Sequence, residues 1–483
     1  MANWKVPGRH STKLTPIGPN RARLLRQLDH DEYTVDLGWS AGSLAETAPH
    51  HFRIEGVTRT TLDLVCHFTP KPYDGPLPSF DPTQTASAAH WERFWTQGAA
   101  LDLEGSTDPR ALELERRVIL SQYQTAIHCA GPLPSAETGL LFNSWYGKFH
   151  LEMHWWHSVH FAAWGRFPLF ERSLAIYRRI LPLAQATARR QGYRGARWPK
   201  MIGPEGLDAP SPVGPLLIWQ QPHPIYYAEL CYRERAGQET LEAWSDVVFE
   251  TAEFMASYAV RDPERQQFRL GPPLKTVSEN TDPLTAYNPA FELAYWRFGL
   301  RTAQAWRERL HLPRAPRWDE VLRGLAPLPV GDGLYLLQEG MADTYAKWNW
   351  EHPALLGAFG MQPGDGVDPA TMRRSVRKAM EVWQWERAWG WDFPMAAMAA
   401  ARSGEPELAV AALSVAAAKN RYLPNGHNFQ RGALSAYLPG NGGLLSAVAM
   451  MAGGWTNGPQ TQAPGFPADG KWSVRSEGFR KWL

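Results

Sequence analysis

The sequence predicts a mainly α-helical protein: an (α/α)6 toroid preceded by a small β-rich N-terminal segment. Three observations lead there. From about Ala88 onward, apolar-periodic stretches alternate with Gly/Pro-rich loops, about a dozen of them in successive pairs. No segment recurs at a fixed period, which argues against a simple solenoid and favours a closed double ring. The 23 tryptophans gather beside acidic and amide residues instead of being spaced along helix faces.

In chain order, residues 1–85 form the β-rich segment. Arg59–Phe68 alternates partly at period two and is rich in β-formers, Glu32–Gly38 and His51–Val57 read as further strands, and the Pro/Gly/Ser stretch Thr69–Thr85 reads as a linker. Helices are predicted over Arg110–Ile127, Glu152–Ala163, Pro168–Arg190, Ile225–Arg235, Glu239–Val260 and Pro289–Leu310. They continue over Trp318–Gly324, Pro353–Phe359, Pro369–Val382, Pro394–Ala401, Pro406–Ala418 and Gly442–Ala452. Several start at or just after a proline, which suits the first helical position because its missing N–H is not needed there. The barrel is expected over residues 86–460, with residues 461–483 as a C-terminal extension. Gly440-Asn441-Gly442-Gly443 lacks the Lys-Ser/Thr of a phosphate loop and reads as a tight turn with left-handed residues.

Bulk properties remove several classes. Fifty basic against 48 acidic residues leave a net charge of +2, so neither nucleic acid nor an anionic membrane is an expected partner. The best apolar run, Leu444–Gly453, is about half of what a bilayer requires. Met1-Ala2-Asn3-Trp4-Lys5 leads into a Pro/Arg-rich segment with no apolar h-region, and Cys66, Cys129 and Cys231 have no metal-like spacing. Both fit a cytoplasmic location. A homodimer is left open.

An indole offers a flat apolar face and one N–H donor, while carboxylates and amides bond in the plane around a ligand. A sugar ring, with C–H faces and a hydroxyl rim, suits that pairing. Trp155-Trp156 follows Glu152, Trp348-Asn349-Trp350 precedes Glu351, and four indoles surround two carboxylates in Trp383–Asp392. Trp4, Trp39, Trp91, Trp95, Trp244, Trp296, Trp306, Trp318, Trp472 and Trp482 are better explained as packing, linker or surface residues. Glu279, in Lys275–Pro283, is the most site-like acid; the alternative is a cap-type loop in which Glu279 or Asp282 binds helix N–H groups. Asp392 precedes Pro394 and is either an N-cap or a carboxylate walled by indoles; Glu386 lies nearby. His150, His154 and His157 share a helical spacing but not that of a zinc protease, so no metal is expected and no cofactor is implied. There is no Gly-x-Ser-x-Gly elbow.

Motifs over most of residues 88–455 resemble glycoside hydrolase family 65, in the six-hairpin glycosidase superfamily. Gly192-Tyr193-Arg194-Gly195-Ala196-Arg197-Trp198-Pro199 is close to that family's Gly-Tyr-x-Gly-Ala-x-x-Pro. Tyr146–Met153 stands where the family lines its nonreducing-end subsite, keeping Glu152 but not the Trp-Asp pair. Val277-Ser278-Glu279-Asn280 falls at the general acid, without the usual Gly-Pro-Asp before it, and Tyr437–Leu445 resembles the closing loop and last barrel helix. The phosphate-holding Lys-Gln pair and Ser/Thr-rich loop of the family's phosphorylases are absent; Trp391-Asp392-Phe393-Pro394 takes that place, and an anionic residue there tips the expectation to hydrolysis.

The resemblance implies an inverting exo-acting glycoside hydrolase on α-linked oligosaccharides or glycosides. Glu279 would protonate the leaving oxygen, and Asp392, or failing that Glu386, would position water. Trp155, Trp198, Trp348, Trp350, Trp389 and Trp391 would wall the sugar, and His150, Glu152, Lys200 and Asn280 would bond its hydroxyls. Two rivals stand beside it. One is a lyase or epimerase using His150, His154, Tyr146 or Lys200 near a uronate; the other is a glycan-binding protein without catalysis.

Overall fold

The computed structural model describes residues 6–57, 60–142 and 144–483. Trp4 and the first residue of the strand expected at Arg59–Phe68 lie outside them. The chain divides into two compact units, Met1–Gln97 and Gly98–Leu483.

In the first unit, β1 (His10–Gly18), β2 (Arg21–Leu28), β3 (Asp31–Trp39) and β6 (Leu64–Thr69) form an antiparallel sheet in the order β1-β2-β3-β6. β4 (Ser43–Ala48) and β5 (His51–Glu55) form a separate hairpin. β2 and β3 are the inner strands; in β3 Thr34, Val35, Asp36 and Leu37 are all buried, and the Asp36 carboxylate is held by Arg23 at 2.7 Å. α1 (Phe80–Thr96) follows, spanning the end of the expected linker.

The second unit has the expected (α/α)6 architecture. Its helices are α2 (Ala111–His128), α3 (His154–Ala163), α4 (Phe167–Glu171), α5 (Ala175–Arg190), α6 (His223–Glu234), α7 (Gln238–Tyr258) and α8 (Ala290–Arg309). Then come α9 (Pro316–Gly324), α10 (Thr344–Lys347), α11 (Pro369–Val382), α12 (Asp392–Arg402), α13 (Pro406–Leu413) and α14 (Leu438–Gly453). An inner ring closes through successive contacts of α3, α6, α8, the 3-10 turn Ala354–Ala358, α12, α14 and α3 again. α5, α7, α9, α11, α13 and α2 form the outer layer. The helix expected over Pro168–Arg190 is two, because the chain turns at Arg172–Leu174.

Burial separates the rings. Every residue of α3 is buried, and in α12 and α14 only the last residue is not. The outer α5 instead buries Ile176, Tyr177, Ile180, Ala184, Thr187 and Ala188, one stripe at helical spacing. Its counterpart α11 starts with Asp368, whose carboxylate accepts the Thr371 N–H at 2.7 Å as an N-cap.

Close approach of the inner elements depends on residue size. α3 brings Trp155, Trp156 and Phe161, whereas α14 answers with Gly, Ala and Ser. A Cβ on Gly442 would lie 1.8 Å from the Trp156 carbonyl oxygen, and one on Gly443 would lie 2.7 Å from Pro394. This corrects the turn expected at Gly440–Gly443. The run is the first part of α14, and its glycines serve contact with neighbouring elements. Near the chain end, Arg475–Glu477 pairs with Ala100–Asp102, and the Trp482 indole donates to the Gly360 carbonyl at 3.2 Å. Gly442→Ala should therefore lower the thermal unfolding midpoint, with a cost of at least about 1–3 kcal/mol from overpacking; an unchanged midpoint would contradict the close α3–α14 contact.

Candidate active site

Each inner element is entered from an outer helix, so six connections converge at the inner N-terminal ends. Groups from these connections are bonded in neighbouring sets there. Glu152, just before α3, accepts from the Trp219 indole at 3.2 Å and from Lys200 at 3.3 Å. Lys200, from the connection between α5 and α6, also bonds Glu279. Asn280 bonds Glu351, which precedes the fourth inner element. His352 lies 2.9 Å from both oxygens of Asp392, at the start of α12. The Leu438 N–H, opening α14, donates to the Glu137 carbonyl at 3.2 Å. Helix N-termini carry partial positive charge, which favours this gathering of carboxylates.

The Glu279 loop is braced. The buried Glu292 on α8 accepts the Val277 N–H at 2.9 Å, and Thr276 shares hydrogen bonds with Ser278 at 2.7 Å and Thr281 at 3.2 Å. Asp282 takes the turn role considered for either acid, accepting the Leu284 N–H at 3.0 Å. Glu279 itself is left-handed, with φ +62°, a region that non-glycine residues enter at a cost of about 1–3 kcal/mol.

Lys200 is buried, and burial opposes its charge; Glu152 and Glu279 outweigh this and hold the ammonium above the usual lysine range. Burial pushes the Glu152 carboxyl up, against the pull of Lys200. Burial opposes a charged His352 as well, but Asp392 overcomes it and raises the imidazole. The Glu351 carboxyl is raised by burial. Glu137 is pushed up to about 8 by burial and then by Glu152.

Hydroxyl recognition has suitable groups here. His150 Nδ1 lies 3.0 Å from the Lys148 carbonyl, an acceptor only, so Nδ1 donates and Nε2 is left as an acceptor. Burial holds that ring neutral, its pKa down to about 3. Gln430 receives the Gly390 N–H at 2.9 Å and keeps its amide donors. Among the described residues, His150 Nε2, Gln430 Nε2 and Glu137 Oε2 have no hydrogen-bond partner. An acceptor, a donor and a carboxyl oxygen are thus left buried and unpaired near the converging ends.

The structure brings Glu152, Lys200, Glu279, Asn280 and Asp392 together, with His150 beside them. Asp392 is fully buried and does not cap α12: Trp391 is the N-cap, and Asp392 accepts the Trp389 N–H at 2.7 Å. Glu386 is exposed and accepts the Ala418 N–H at 3.3 Å. Trp155 and Trp198 lie in the core behind the site; the Trp198 indole is spent on Thr251 at 2.9 Å. Trp391 is a buried wall, stacked on His352 at 4.3 Å. Trp348 and Trp350 stack at 6.1 Å and, with Trp389, stay partly open. The sequence reading missed Glu137, Trp219, Glu351, His352 and Gln430; of these only Glu351 and His352 sat beside a tryptophan cluster that had drawn notice. His150 lies in a short strand, not on the helix of His154 and His157. Among the described residues no group of three or more His, Cys, Asp or Glu is placed to hold a metal.

A closed inner ring of six elements inside an outer helical layer is an (α/α)6 toroid, the fold that the following solved structures share with this chain. Among solved structures, a provisionally assigned kojibiose phosphorylase from the human microbiome matches 94% of this chain and 72% of its own, with TM-score 0.65 and 10% identity. A wild-type glycosidase matches 70% of this chain and 97% of its own, with TM-score 0.53 and 14% identity. A glycosidase variant in complex with glucose gives TM-score 0.51 over the same shares, at 14% identity. At these identities the likeness is one of fold. No family model matches the sequence, and no curated protein does.

Two outcomes follow from the electrostatics. Glu137 is about 8 in the folded chain and near 4.5 unfolded, so its stabilising protonated form is lost as pH rises through that window. Glu137→Gln should then be near neutral at pH 5 and stabilising at pH 8, by up to about a few kcal/mol, as read by thermal unfolding at both pH values. The raised His352 contributes stability that is present below the unfolded value of about 6.5 and lost as pH rises through its folded value. With Asp392→Asn only burial remains as the larger influence, and the His352 NMR titration should fall below the ordinary histidine midpoint.

Proposed function

We propose that this chain is a carbohydrate-active enzyme: an inverting, exo-acting glycoside hydrolase on α-linked oligosaccharides or glycosides. The observation that carries the reading is the joined set Glu152–Lys200–Glu279 and Asn280–Glu351, beside His352–Asp392, at the mouth of a six-hairpin toroid. Trp156, Trp219 and Trp391 pack together beneath it, with Trp219 and Trp391 stacked at 6.2 Å, so a chain of sugars enters end-on. The α linkage and the sugar class rest on the sequence resemblance and on the names of the fold relatives.

In the proposed step Glu279 is released from the Lys200 ammonium as substrate enters, takes up a proton, and gives it to the glycosidic oxygen as the bond to the anomeric carbon breaks. Water adds to the opposite face, and a carboxylate takes its proton. Asp392, expected in that last role, has both oxygens committed to His352 and the Trp389 N–H, so it acts by fixing the imidazole. Glu351 is the carboxylate proposed to receive the proton. It is tied to Asn280, the residue after the acid, and burial raises its carboxyl, which makes it a stronger base than a free glutamate.

One observation favours phosphorolysis as a second reading. Leu408–Ala468 contains Lys419, Arg421 and Arg431 but no Asp or Glu. Lys419 lies over the Trp389 ring at 5.2 Å, Arg431 is within electrostatic reach of Lys419 and Glu137, and the Asp392 charge is answered by His352. A phosphate in that place would attack in the role of water.

Glu279→Gln should lower kcat by about 10²–10⁴; a variant near wild-type rate would remove Glu279 from the mechanism. Product analysis by NMR on α- and β-linked disaccharides, with and without phosphate, separates the readings. Hydrolysis predicts phosphate-independent release of free β-sugar from an α-glycoside. Strict phosphate dependence with a sugar 1-phosphate product would establish phosphorolysis.

A further inference from the structure

α2 is an outer helix turned inside out. All its exposed residues are large and apolar or aromatic: Leu112 is 80% exposed, Ile119 44%, Tyr123 38% and Ile127 39%. Its small polar residues face the other way. Asn441 on α14 donates to Ser121 Oγ at 2.8 Å, the Gln124 amide donates to the Asn425 carbonyl at 2.6 Å, and Thr125 donates to the Ser121 carbonyl at 2.8 Å. An outer helix ordinarily buries its apolar stripe and opens its charges to water. α5 does so with Arg178, Arg179, Arg189 and Arg190, and α7 with Glu239, Glu242 and Asp246. Scattered apolar side chains are normal on a surface; a helix whose whole outward face is of this kind marks an interface.

Positions 112, 119, 123 and 127 recur at helical spacing and so line one stripe. Leu140 adds apolar surface beside the helix end: it is 80% exposed, and its N–H donates to Nδ1 of His128, the last residue of α2, at 3.3 Å. The charges flanking the stripe are used within the chain. Glu113 accepts from Arg116 and from Arg117, each at 2.7 Å, and Arg116 above all holds that carboxyl down at about 2. Arg116 also donates to the Tyr422 carbonyl at 3.2 Å, and Arg117 to the Leu413 carbonyl at 3.1 Å. A helix that lies on a membrane instead keeps its basic flank free for lipid headgroups.

The stripe is matched to itself. In an antiparallel pair of α2 helices about a two-fold axis between Ile119 and Leu120, Leu112 meets Ile127 of the other copy, and Ile119 meets its own counterpart. Arg116 then meets Tyr123, a guanidinium beside an aromatic ring, while Glu113, Glu115 and Arg117 stand opposite Ala126, Gln124 and Gln122. No charge faces a like charge. At roughly 150–200 Å² for a fully open large side chain, the four α2 residues and Leu140 leave about 500 Å² of surface, more than half of the ~800 Å² that each partner buries in a stable complex. The half-buried Glu115, Arg116 and Leu120 beside them supply more.

We propose that the outward face of α2 is the contact between two copies of this chain, packed antiparallel about a two-fold axis beside Ile119. Sedimentation equilibrium on the intact chain should give twice the chain mass, and the thermal unfolding midpoint should rise with concentration as mass action requires. Ile119→Arg sets two guanidiniums side by side at the axis and should weaken the dimer by about 100-fold or more. Leu112→Arg, at the end of the stripe, should weaken it as well, Ile119→Leu should keep it, and Arg179→Glu on α5 should leave the mass unchanged. Leu112 and Ile119 are open in the single chain, so circular dichroism of their variants should match the wild type. Ile119→Cys, made together with Cys66→Ser because Cys66 is exposed, should join two chains on mild oxidation; Cys129 and Cys231 are buried. A wild-type chain that stays monomeric at every concentration would overturn the proposal, whatever else covers the face. So would a dimer that survives both arginine variants, since its contact lies on another surface. A dimer whose Ile119→Cys chains stay unlinked would overturn the antiparallel register.

Discussion

Lys200 carries its ammonium into a buried position where one carboxylate would be weak compensation for the lost water, and it finds two, Glu152 and Glu279. Three connections meet through that nitrogen: the entry to α3, the α5–α6 loop and the α7–α8 loop. The backbone repeats the joint, because the Lys200 carbonyl accepts the Leu151 N–H at 2.9 Å. Without this centre, two acidic loops at converging helix ends would repel one another. With it, a carboxylate can be held in the left-handed turn of Glu279, whose cost is offset by neighbouring bonds.

What could be read from the sequence follows how local each determinant is. The outer helices announce themselves: α11 has Asp368 as a cap, Pro369 after it and a clean apolar stripe. The inner helices were legible as helices because α12 and α14 are long, apolar and opened by Pro394 and Pro439. Their place in the ring was not, since full burial erases amphipathic contrast. The β2 strand went unread because Arg-Ala-Arg-Leu-Leu-Arg-Gln-Leu alternates poorly and suits a helix as well. α1 was hidden by a Ser/Thr/Pro-rich start.

The candidate site shows the same division. Glu279 and Asp392 stood out because each sits in a loop of distinctive composition. Glu137 could not be found that way. Its chemistry comes from burial and from Glu152, Lys200 and Arg431, all remote in sequence. His352 followed Trp348-Asn349-Trp350-Glu351, but its character comes from Asp392, forty residues away. Indoles were the most misleading guide. Local clustering marked Trp155 and Trp391 alike, yet one packs against Trp156 and Trp482 in the core while the other forms the stacking wall for an imidazole.

The wall explains why His352 and Asp392 are a matched pair. Trp391 lies against the imidazole at 4.3 Å, and Trp156 and Trp219 lie behind Trp391 at 5.5 and 6.2 Å, so water has little access to that side. In such surroundings a lone carboxylate would take up a proton and a lone imidazole would lose one. Here Asp392 sustains the imidazole's charge, and its carboxylate also accepts the Trp389 N–H at 2.7 Å. The two carboxylates proposed to exchange protons, Glu279 and Glu351, are tied together through Asn280, which follows Glu279 and bonds Glu351.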